Sequence, residues 1–308
     1  KENVFKYGTL AIIVLVTIFL FYGFAAASAA ATRNMFPHLH PQWTNAMDWV
    51  AQNTPENAVF GHWWDYGYWL QTGGKRATAL DGGNVYPYWD HLMGRYMLTN
   101  SNLTEALEFL RSYNITHYLI DSSDIGKYPA YSLIGSNESF DRYSWIPTFV
   151  TDENAVQETR NGSLYIYQGG SVLDEDFVWQ GELFAAERVG IVGFLLSVTE
   201  SDNVVNFGKP TIVFVKDGQR IDLPLNCIWV EGRLYEFNGE GIDGCLRLVP
   251  KVQQDGRISN FGSAFYLSPR VRRGLMARLY LLEENNPYFK LAHVEDDLVV
   301  AEIKKQLG

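Results

Sequence analysis

A long uncharged stretch near the N-terminus constrains this sequence more than any other feature. Between Lys6 and Arg33 no residue carries a charge, and Gly8–Ala31 is rich in Leu, Ile, Val, Phe and Ala. The stretch is longer than the roughly 20 residues with which a helix crosses the hydrocarbon core of a bilayer. Because a helix satisfies its own backbone hydrogen bonds in lipid, the sequence predicts a transmembrane helix over residues 8–31, preceded by a cytoplasmic flank over residues 1–7.

A cleaved signal peptide is the alternative interpretation of this stretch. The small residues of Ala26–Ala31 contain patterns that a signal peptidase recognises. The apolar run is longer than a usual signal-peptide core, and a sequence that begins at Lys1 instead of Met is expected for a fragment or a processed chain. We therefore favour the last span of a membrane protein. Lys1 and Lys6 indicate a cytoplasmic N-terminal side, and both interpretations export the residues that follow.

The composition is that of a folded, acidic protein. The chain has 308 residues, with 25 Lys and Arg against 35 Asp and Glu, and hence a formal charge of −10. Hydrophobic residues make up 47%, which excludes extensive disorder. Since the chain lacks the positive charge that binding to a phosphate backbone requires, we expect no nucleic-acid partner. Cys227 and Cys245 are too few for a disulfide-built scaffold, and a disulfide between them and two reduced thiols are equal alternatives.

Apolar patterns divide the exported part into three regions. Residues 33–170 alternate between helical and strand-like segments, with a helix that begins at Pro41 and another that Asn102 caps, which predicts an α/β central core. Residues 171–267 contain many short strands with turn signals and predict a β-rich peripheral domain. Residues 268–308 contain a helical pattern and two strands that we expect to rejoin the core. The predicted fold class is therefore a mixed α/β core with an attached β-rich barrel or sandwich domain and one N-terminal transmembrane helix.

The pentapeptide Trp63-Trp64-Asp65-Tyr66-Gly67 is improbable from composition alone. A purely structural interpretation has two tryptophans that pack in a core, a carboxylate that caps the next turn and a glycine that relieves the backbone. However, WWDYG is the signature of the oligosaccharyltransferase catalytic subunit, and the chain resembles that family in its archaeal dolichyl-phosphooligosaccharide–protein glycotransferase form. The resemblance implies the last transmembrane helix and the C-terminal globular domain of such a subunit.

A second motif follows about sixty residues later. Asp124–Lys127 matches the Asp-x-x-Lys element of the same family on a short helix. Alone this element is weak, because acid–base pairs at this spacing are common on helices, but its order and distance from WWDYG make the two motifs specific together. The family places Met or Ile four residues after the lysine. Here Tyr131 stands at that position, and Ile134 is a nearby substitute.

The resemblance implies a role in protein N-glycosylation, with a lipid-linked oligosaccharide as donor and an acceptor polypeptide that contains Asn-x-Ser/Thr. The residue chemistry agrees, because the carboxylate of Asp65 accepts and the indole N–H groups of Trp63 and Trp64 donate, as a hydroxyl at position +2 requires. A peptide without that hydroxyl would leave these groups unpaired. Tyr131 or Ile134 would contact the Thr methyl. The expected substrate-binding residues are Trp63, Trp64, Asp65, Lys127, Tyr131 and Ile134, with motif support from Tyr66, Gly67 and Asp124.

The transfer chemistry of this family lies outside the chain. The resemblance implies Mg²⁺ or Mn²⁺, which neutralises the leaving phosphate and is held by carboxylates of a multispan membrane portion. We therefore assign no catalytic or metal-binding residue, and we expect a glycosyltransferase of the cell membrane whose globular domain is extracytoplasmic and whose present fragment alone is inactive. The alternative is a membrane-anchored extracellular carbohydrate-binding or adhesion protein, indicated by 9 Trp, 18 Tyr and the β-rich second half.

Overall fold

The computed structural model describes residues 2–33, 40–151, 156–159, 162–201, 204–252 and 256–304. The chain forms two compact units, Lys1–Thr44 and Asn45–Gly308. Helix α1 (Glu2–Arg33) dominates the first unit, and its most apolar part has a mean hydropathy of 2.6 with no residue buried. By length and composition it is long enough to cross a membrane, and it is the one such helix in the described part of the chain.

The predicted helix starts are confirmed where local chemistry determines them. Helix α2 begins at Pro41 and ends at Asn53, because the residue before Pro55 disfavours helical geometry. The side chain of Asn102 caps the helix that begins at Leu103. The other helices are α3 (Gly67–Thr72), α4 (Tyr88–Leu92), α5 (Leu103–Ser112), α6 (Ser123–Ile134) and α7 (Pro269–Arg273). Trp64–Tyr66 forms a short 3-10 helix. The two π-helical segments are Met93–Leu98 and Ala277–Leu281.

A five-stranded mixed sheet carries the α/β elements. Its strands are β1 (Val59–Gly61), β2 (Ala77–Thr78), β3 (His117–Ile120), β17 (Phe289–Glu295) and β18 (Leu298–Ile303). Their order is β17-β18-β3-β1-β2, with β1 parallel to both β2 and β3, and β18 antiparallel to β3. The last strands of the chain therefore lie in the same sheet as the strands that precede the two motifs.

An eleven-stranded sheet forms most of the second half. Its strands are β4 (Thr148–Thr151), β5 (Gln157–Thr159), β6 (Gly162–Val172), β9 (Gly190–Ser201), β10 (Val204–Phe207), β11 (Thr211–Lys216), β12 (Gln219–Pro224), β13 (Cys227–Val230), β14 (Arg233–Glu236), β15 (Cys245–Val252) and β16 (Ile258–Leu267), while β7 (Phe177–Trp179) and β8 (Glu182–Phe184) form a separate hairpin. Phe149, Leu223 and Ile228, from the middle and opposite parts of the sheet, share one buried core, so the sheet curls around it. The sheet includes strands before Ser171, where the composition changes, and the exact domain boundaries stay a prediction.

In the second half of the chain, the structure has the hairpin that the turn residues predict but not an unbroken helix over residues 268–282. Strands β11 and β12 form the predicted hairpin, in which Asp217 and Gly218 adopt the positive φ angles of 50° and 75° that such a turn requires. The helical pattern over residues 268–282 is interrupted at Gly274, whose backbone is extended after α7. Helical structure resumes at Leu275 and continues as the π-helical segment Ala277–Leu281. Apolar spacing alone does not reveal this interruption.

The two cysteines form a disulfide. Cys227 in β13 and Cys245 in β15 are bonded, on neighbouring strands that run parallel. Of the two alternatives that the sequence left open, the structure therefore has the disulfide. Disulfides persist in oxidising compartments, so this bond agrees with an exported position of the globular unit.

Candidate functional site

The fold brings the two motifs together at one edge of the five-stranded sheet. Strand β1 ends at Gly61, two residues before Trp63, and β3 ends at Ile120, three residues before the start of α6, the helix that carries Asp-x-x-Lys. Gly61 pairs with Tyr118 of the adjacent parallel strand. Because the carboxyl ends of adjacent parallel strands meet at the same edge, residues about sixty positions apart become neighbours.

Asp65 and Lys127 form the ion pair that joins the motifs. The Nζ atom of Lys127 lies 2.6 Å from Oδ2 of Asp65, and the two side chains are 28% and 24% exposed, respectively. Within the described residues this ammonium is the one hydrogen-bonding or ionic partner of the carboxylate. The carboxylate is therefore neither sealed in the fold nor saturated by main-chain donors, and its second oxygen can accept a further hydrogen bond.

The two tryptophans keep their polar groups available. Trp63 is 3% exposed and packs on the ring of Tyr131, with the ring centres 5.5 Å apart, while Trp64 is half-buried. Neither indole N–H donates a hydrogen bond to any other part of the described chain. Two donors without protein partners thus lie in the same short segment as a partly exposed acceptor, and this combination suits a hydroxyl that both donates and accepts.

Tyr66 and Asp124 form a buried network behind the ion pair. The Tyr66 hydroxyl donates to Oδ1 of Asp124 at 2.9 Å and accepts from Nζ of Lys127 at 3.0 Å. Ser123 lies 2.9 Å from the same hydroxyl, and the backbone N–H of Asp121 donates to the other Asp124 oxygen at 3.0 Å. Asp124 has no exposed surface. It therefore orients Tyr66 and Lys127 and does not itself face a ligand.

Burial shifts the pKa values of the groups that support the site. Burial raises the pKa of Asp124 to about 7, although the N–H of Asp121 and the charge of Lys127 oppose this change. Burial likewise raises the pKa of the Tyr66 hydroxyl. It lowers the pKa of His62 to about 4, and the Nε2 atom of this histidine has no partner in the described structure.

Sequence reasoning missed three residues that help to build the site. His62, Asp121 and Ser123 were not among the candidates, yet the first precedes the tryptophans and the other two bond the network around Asp124. The available signal was their position, because each lies within three residues of the end of β1 or β3. Polar residues at that position of parallel strands commonly line a site.

The two motif glycines have different structural roles. A β-carbon on Gly67 would lie 2.4 Å from the carbonyl oxygen of Leu80 and 2.5 Å from Cα of Asp81, so the close approach of this loop requires glycine. A β-carbon on Gly126 would meet nothing within 4 Å. Glycine is therefore needed by packing in WWDYG but not in the helix of the second motif.

The structure separates the two candidates for contact with the Thr methyl. Tyr131 has no exposed surface, because its ring packs on Trp63 and its hydroxyl donates to the backbone oxygen of Asp124 at 3.1 Å. It does not offer the accessible surface that the sequence expectation required. Ile134 is 42% exposed and lies seven residues, or about two helical turns, after Lys127, which places both on the same face of α6. This geometry favours Ile134.

The described residues do not fit a metal centre. No group of three or more His, Cys, Asp or Glu side chains in this part of the chain lies close enough to hold a metal ion. The expectation that carboxylates of a membrane portion hold Mg²⁺ or Mn²⁺ therefore stays a prediction.

Curated proteins similar to this chain are archaeal and plant glycosyltransferases. The dolichyl-phosphooligosaccharide-protein glycotransferase 1 of Pyrococcus furiosus is 30% identical over 130 residues, which are 42% of this chain and 13% of that protein. The dolichyl-phosphooligosaccharide-protein glycotransferase 1 of Pyrococcus horikoshii is 30% identical over 44% of this chain and 14% of its own length. The glycosyltransferase subunit STT3B of rice is 27% identical over 34% of this chain and 13% of its own length. The chain thus spans about one seventh of the curated relatives, and no family model matches it.

Solved structures similar to this chain include the C-terminal globular domains of oligosaccharyltransferases. The C-terminal domain of PglB from C. jejuni covers 85% of this chain with 99% of its own length, at 9% identity and a TM-score of 0.47. The C-terminal globular domain of the Pyrococcus abyssi oligosaccharyltransferase covers 85% with half its length, at 14% identity and a TM-score of 0.43. The curated relatives confirm the resemblance of the chain to archaeal dolichyl-phosphooligosaccharide-protein glycotransferases.

Proposed function

We propose that this chain is the acceptor-recognition part of an oligosaccharyltransferase, which transfers a lipid-linked oligosaccharide to the Asn of Asn-x-Ser/Thr sequons in an acceptor polypeptide. One observation carries the proposal. The carboxylate of Asp65 is partly exposed and held by Lys127, in a segment with two indole N–H groups that have no partner among the described residues. This arrangement complements a single hydroxyl group.

In this proposal the hydroxyl at position +2 donates to the free oxygen of Asp65 and accepts from an indole N–H of Trp63 or Trp64. A peptide with alanine at +2 would desolvate these groups without replacing their hydrogen bonds, and this penalty exceeds what a missing methyl group causes. Threonine would add a contact between its methyl group and an exposed aliphatic side chain, for which Ile134 is our candidate. Lys127 orients the carboxylate and Tyr66 orients Lys127.

Sugar transfer requires the rest of the enzyme in this proposal. We expect the carboxylates that hold Mg²⁺ or Mn²⁺ in a multispan membrane portion beyond this chain, and we expect the globular unit on the extracytoplasmic side of the cell membrane. In the full-length protein the metal would neutralise the leaving phosphate of the lipid-linked donor. Detectable sugar transfer to a sequon peptide by this purified chain alone would contradict this division of roles.

The test is a binding titration with the full chain in detergent. Labelled peptides with Asn-x-Thr or Asn-x-Ala and free glycans are titrated into the wild type, Asp65→Ala and Asp222→Ala. Asp222→Ala is the control, because it removes an ion-paired aspartate elsewhere in the chain, the partner of Arg220. We expect binding of the Thr peptide only, lost in Asp65→Ala and kept in the control. Glycan binding that is indifferent to Asp65, without sequon binding, would instead support the carbohydrate-binding or adhesion protein.

A further inference from the structure

A cavity of about 590 Å³ lies at the end of the five-stranded sheet where β1 and β3 begin. Its walls come from the first residue of β1 and the segment before it, from the connection between α5 and β3, and from the end of β18. Because β1 and β3 are parallel, this end of the sheet is opposite to their carboxyl ends, which precede the motifs with Asp65 and Lys127. The cavity is therefore separate from the site of the proposed peptide recognition.

Hydrogen bonds to Thr116 hold the walls of this cavity together. The backbone N–H of Thr116 donates to the carbonyl oxygen of Val59 at 2.9 Å, and its carbonyl oxygen accepts from the N–H of Ile303 at 2.9 Å. The N–H of Val59 donates to the Thr116 hydroxyl oxygen at 3.0 Å. Ile115 and Ile303 are buried and form an apolar part of the lining. Ordered backbone thus shapes the cavity, as in most small-molecule sites.

Four exposed polar side chains line the cavity and are available to a ligand. They are Asn57, Arg111, Asn114 and Lys304. None of them forms a side-chain hydrogen bond or an ion pair with any residue that the structure describes. Two of the four are cations, and no carboxylate is among the lining residues. The cavity therefore offers two positive charges and two amide groups without an internal counter-charge.

Unpaired cations at a cavity are a departure from the rest of this acidic chain, which has 25 Lys and Arg against 35 Asp and Glu. In another cavity, lined by α7 and the segment that follows it, the arginines have carboxylate partners. Arg272 pairs with Glu236 and Asp243. Arg278 pairs with Glu284. Because ammonium and guanidinium groups can only donate, the cations beside β1 and β3 require a ligand with negatively charged oxygen atoms.

We propose that this cavity binds the phosphate group of a ligand that also has an apolar portion. A phosphate monoester has three terminal oxygens and up to two negative charges, which suit two cations and two amide donors better than the single charge of a carboxylate. The apolar portion packs on Ile115 and Ile303. The ligand is a lipid with a phosphate headgroup or a soluble phosphate monoester, since both present the same chemistry. The volume is within the range that is typical of small-molecule sites.

The experiment is calorimetric titration of the full chain in detergent at low salt with hexyl phosphate, inorganic phosphate and hexanoate. Arg111→Gln and Lys304→Gln each remove one charge of the cavity. The matched control is Arg188→Gln, which removes an exposed arginine outside the cavity that likewise has no side-chain partner in the described part of the chain. Because these three side chains have no such partners, we expect all variants to fold as the wild type does.

We expect hexyl phosphate to bind with a dissociation constant below about 1 mM, and about tenfold more weakly in Arg111→Gln and in Lys304→Gln but not in the control. Inorganic phosphate should bind about tenfold more weakly than hexyl phosphate, because it lacks the apolar portion, and hexanoate should also bind more weakly. Absence of hexyl phosphate binding, hexanoate binding of equal strength, or equal hexyl phosphate binding in the wild type and both cavity variants overturns the proposal.

A second titration distinguishes the two sources of the phosphate group. The full chain is placed in nanodiscs that contain phosphatidic acid, a phosphate monoester, or phosphatidylglycerol, an anionic phosphate diester. Weaker hexyl phosphate binding with phosphatidic acid supports a lipid headgroup as ligand, and equal binding in both supports a soluble phosphate monoester. Because Asp65→Ala retains every residue of the cavity, its loss of peptide binding together with normal phosphate binding separates this proposal from peptide recognition.

Discussion

Substitution of Gly67 by alanine is expected to destabilise the globular unit, because backbone atoms occupy the space of the new β-carbon. That atom would lie 2.4 Å from the carbonyl oxygen of Leu80 and 2.5 Å from Cα of Asp81. Contacts below 3.0 Å are essentially never seen for real β-carbons. A backbone loop cannot rotate away as the end of a flexible side chain does, so either α3 or residues 80–81 must shift.

Two opposing effects determine the magnitude. Overpacking in a well-packed region costs about 1–3 kcal/mol. Gly67 is the first residue of α3 and has helical dihedral angles, so alanine recovers up to about 1 kcal/mol of helix propensity. With the full value of about 1 kcal/mol recovered, the expected net loss in the free energy of unfolding is about 0–2 kcal/mol, in contrast to a gain at a glycine with open space around it.

Urea denaturation followed by tryptophan fluorescence measures this loss, and the second motif provides the matched control. Gly126 also lies in a helix, but a β-carbon there would meet nothing within 4 Å. Gly126→Ala is therefore expected to stabilise the chain by about 0.5–1 kcal/mol. If Gly67→Ala were as stable as Gly126→Ala, the close approach of the 80–81 loop would not be the reason for glycine in WWDYG.

Three further predictions concern pH, redox state and specificity. Burial raises the pKa of Asp124 from 3.8 to about 7, so the folded state favours the neutral acid; its contribution to stability is complete below about pH 4 and is lost as the pH rises through 7. Asp124→Asn should flatten this part of the pH–stability curve, measured by denaturation at each pH, and an unchanged curve would contradict the assignment. Reduction of the disulfide between Cys227 and Cys245 should lower the free energy of unfolding by about 3 kcal/mol, as measured by denaturation with and without reductant; equal stabilities would contradict this. Ile134→Ala should remove a Thr-over-Ser preference of about 1 kcal/mol in peptide binding; an unchanged preference in this variant would contradict the assignment of the methyl contact to Ile134.

Features that depend on neighbouring residues could be predicted from the sequence. Pro41, Asn102 and the Asp217-Gly218 turn impose their geometry locally, and the structure has the expected helix starts and hairpin. The apolar stretch likewise forms α1, since its charge-free length leaves few alternatives. In each case the chemistry of a few adjacent residues determines the backbone conformation.

Features that depend on distant partners could not be predicted. Spacing placed Tyr131 one helical turn after Lys127 but did not show that Trp63 covers its ring. Composition did not show that β18 pairs with β3 or that strands before Ser171 join the eleven-stranded sheet, because strand register is determined by tertiary packing. The role of Asp124 was missed for the same reason, since its partner Tyr66 lies 58 positions away.

The most direct test of the central claim is a double-mutant cycle between Asp65 and the hydroxyl of the peptide. Dissociation constants are measured for the wild type and Asp65→Asn, each with an Asn-x-Thr peptide and an Asn-x-Val peptide, in which valine keeps the branched shape of threonine without its hydroxyl. If the carboxylate accepts the hydroxyl proton, the coupling free energy should be about 1.5–3 kcal/mol, as for a hydrogen bond to a charged group. A coupling free energy of zero, with equal losses for both peptides, would contradict the claim that Asp65 recognises the hydroxyl.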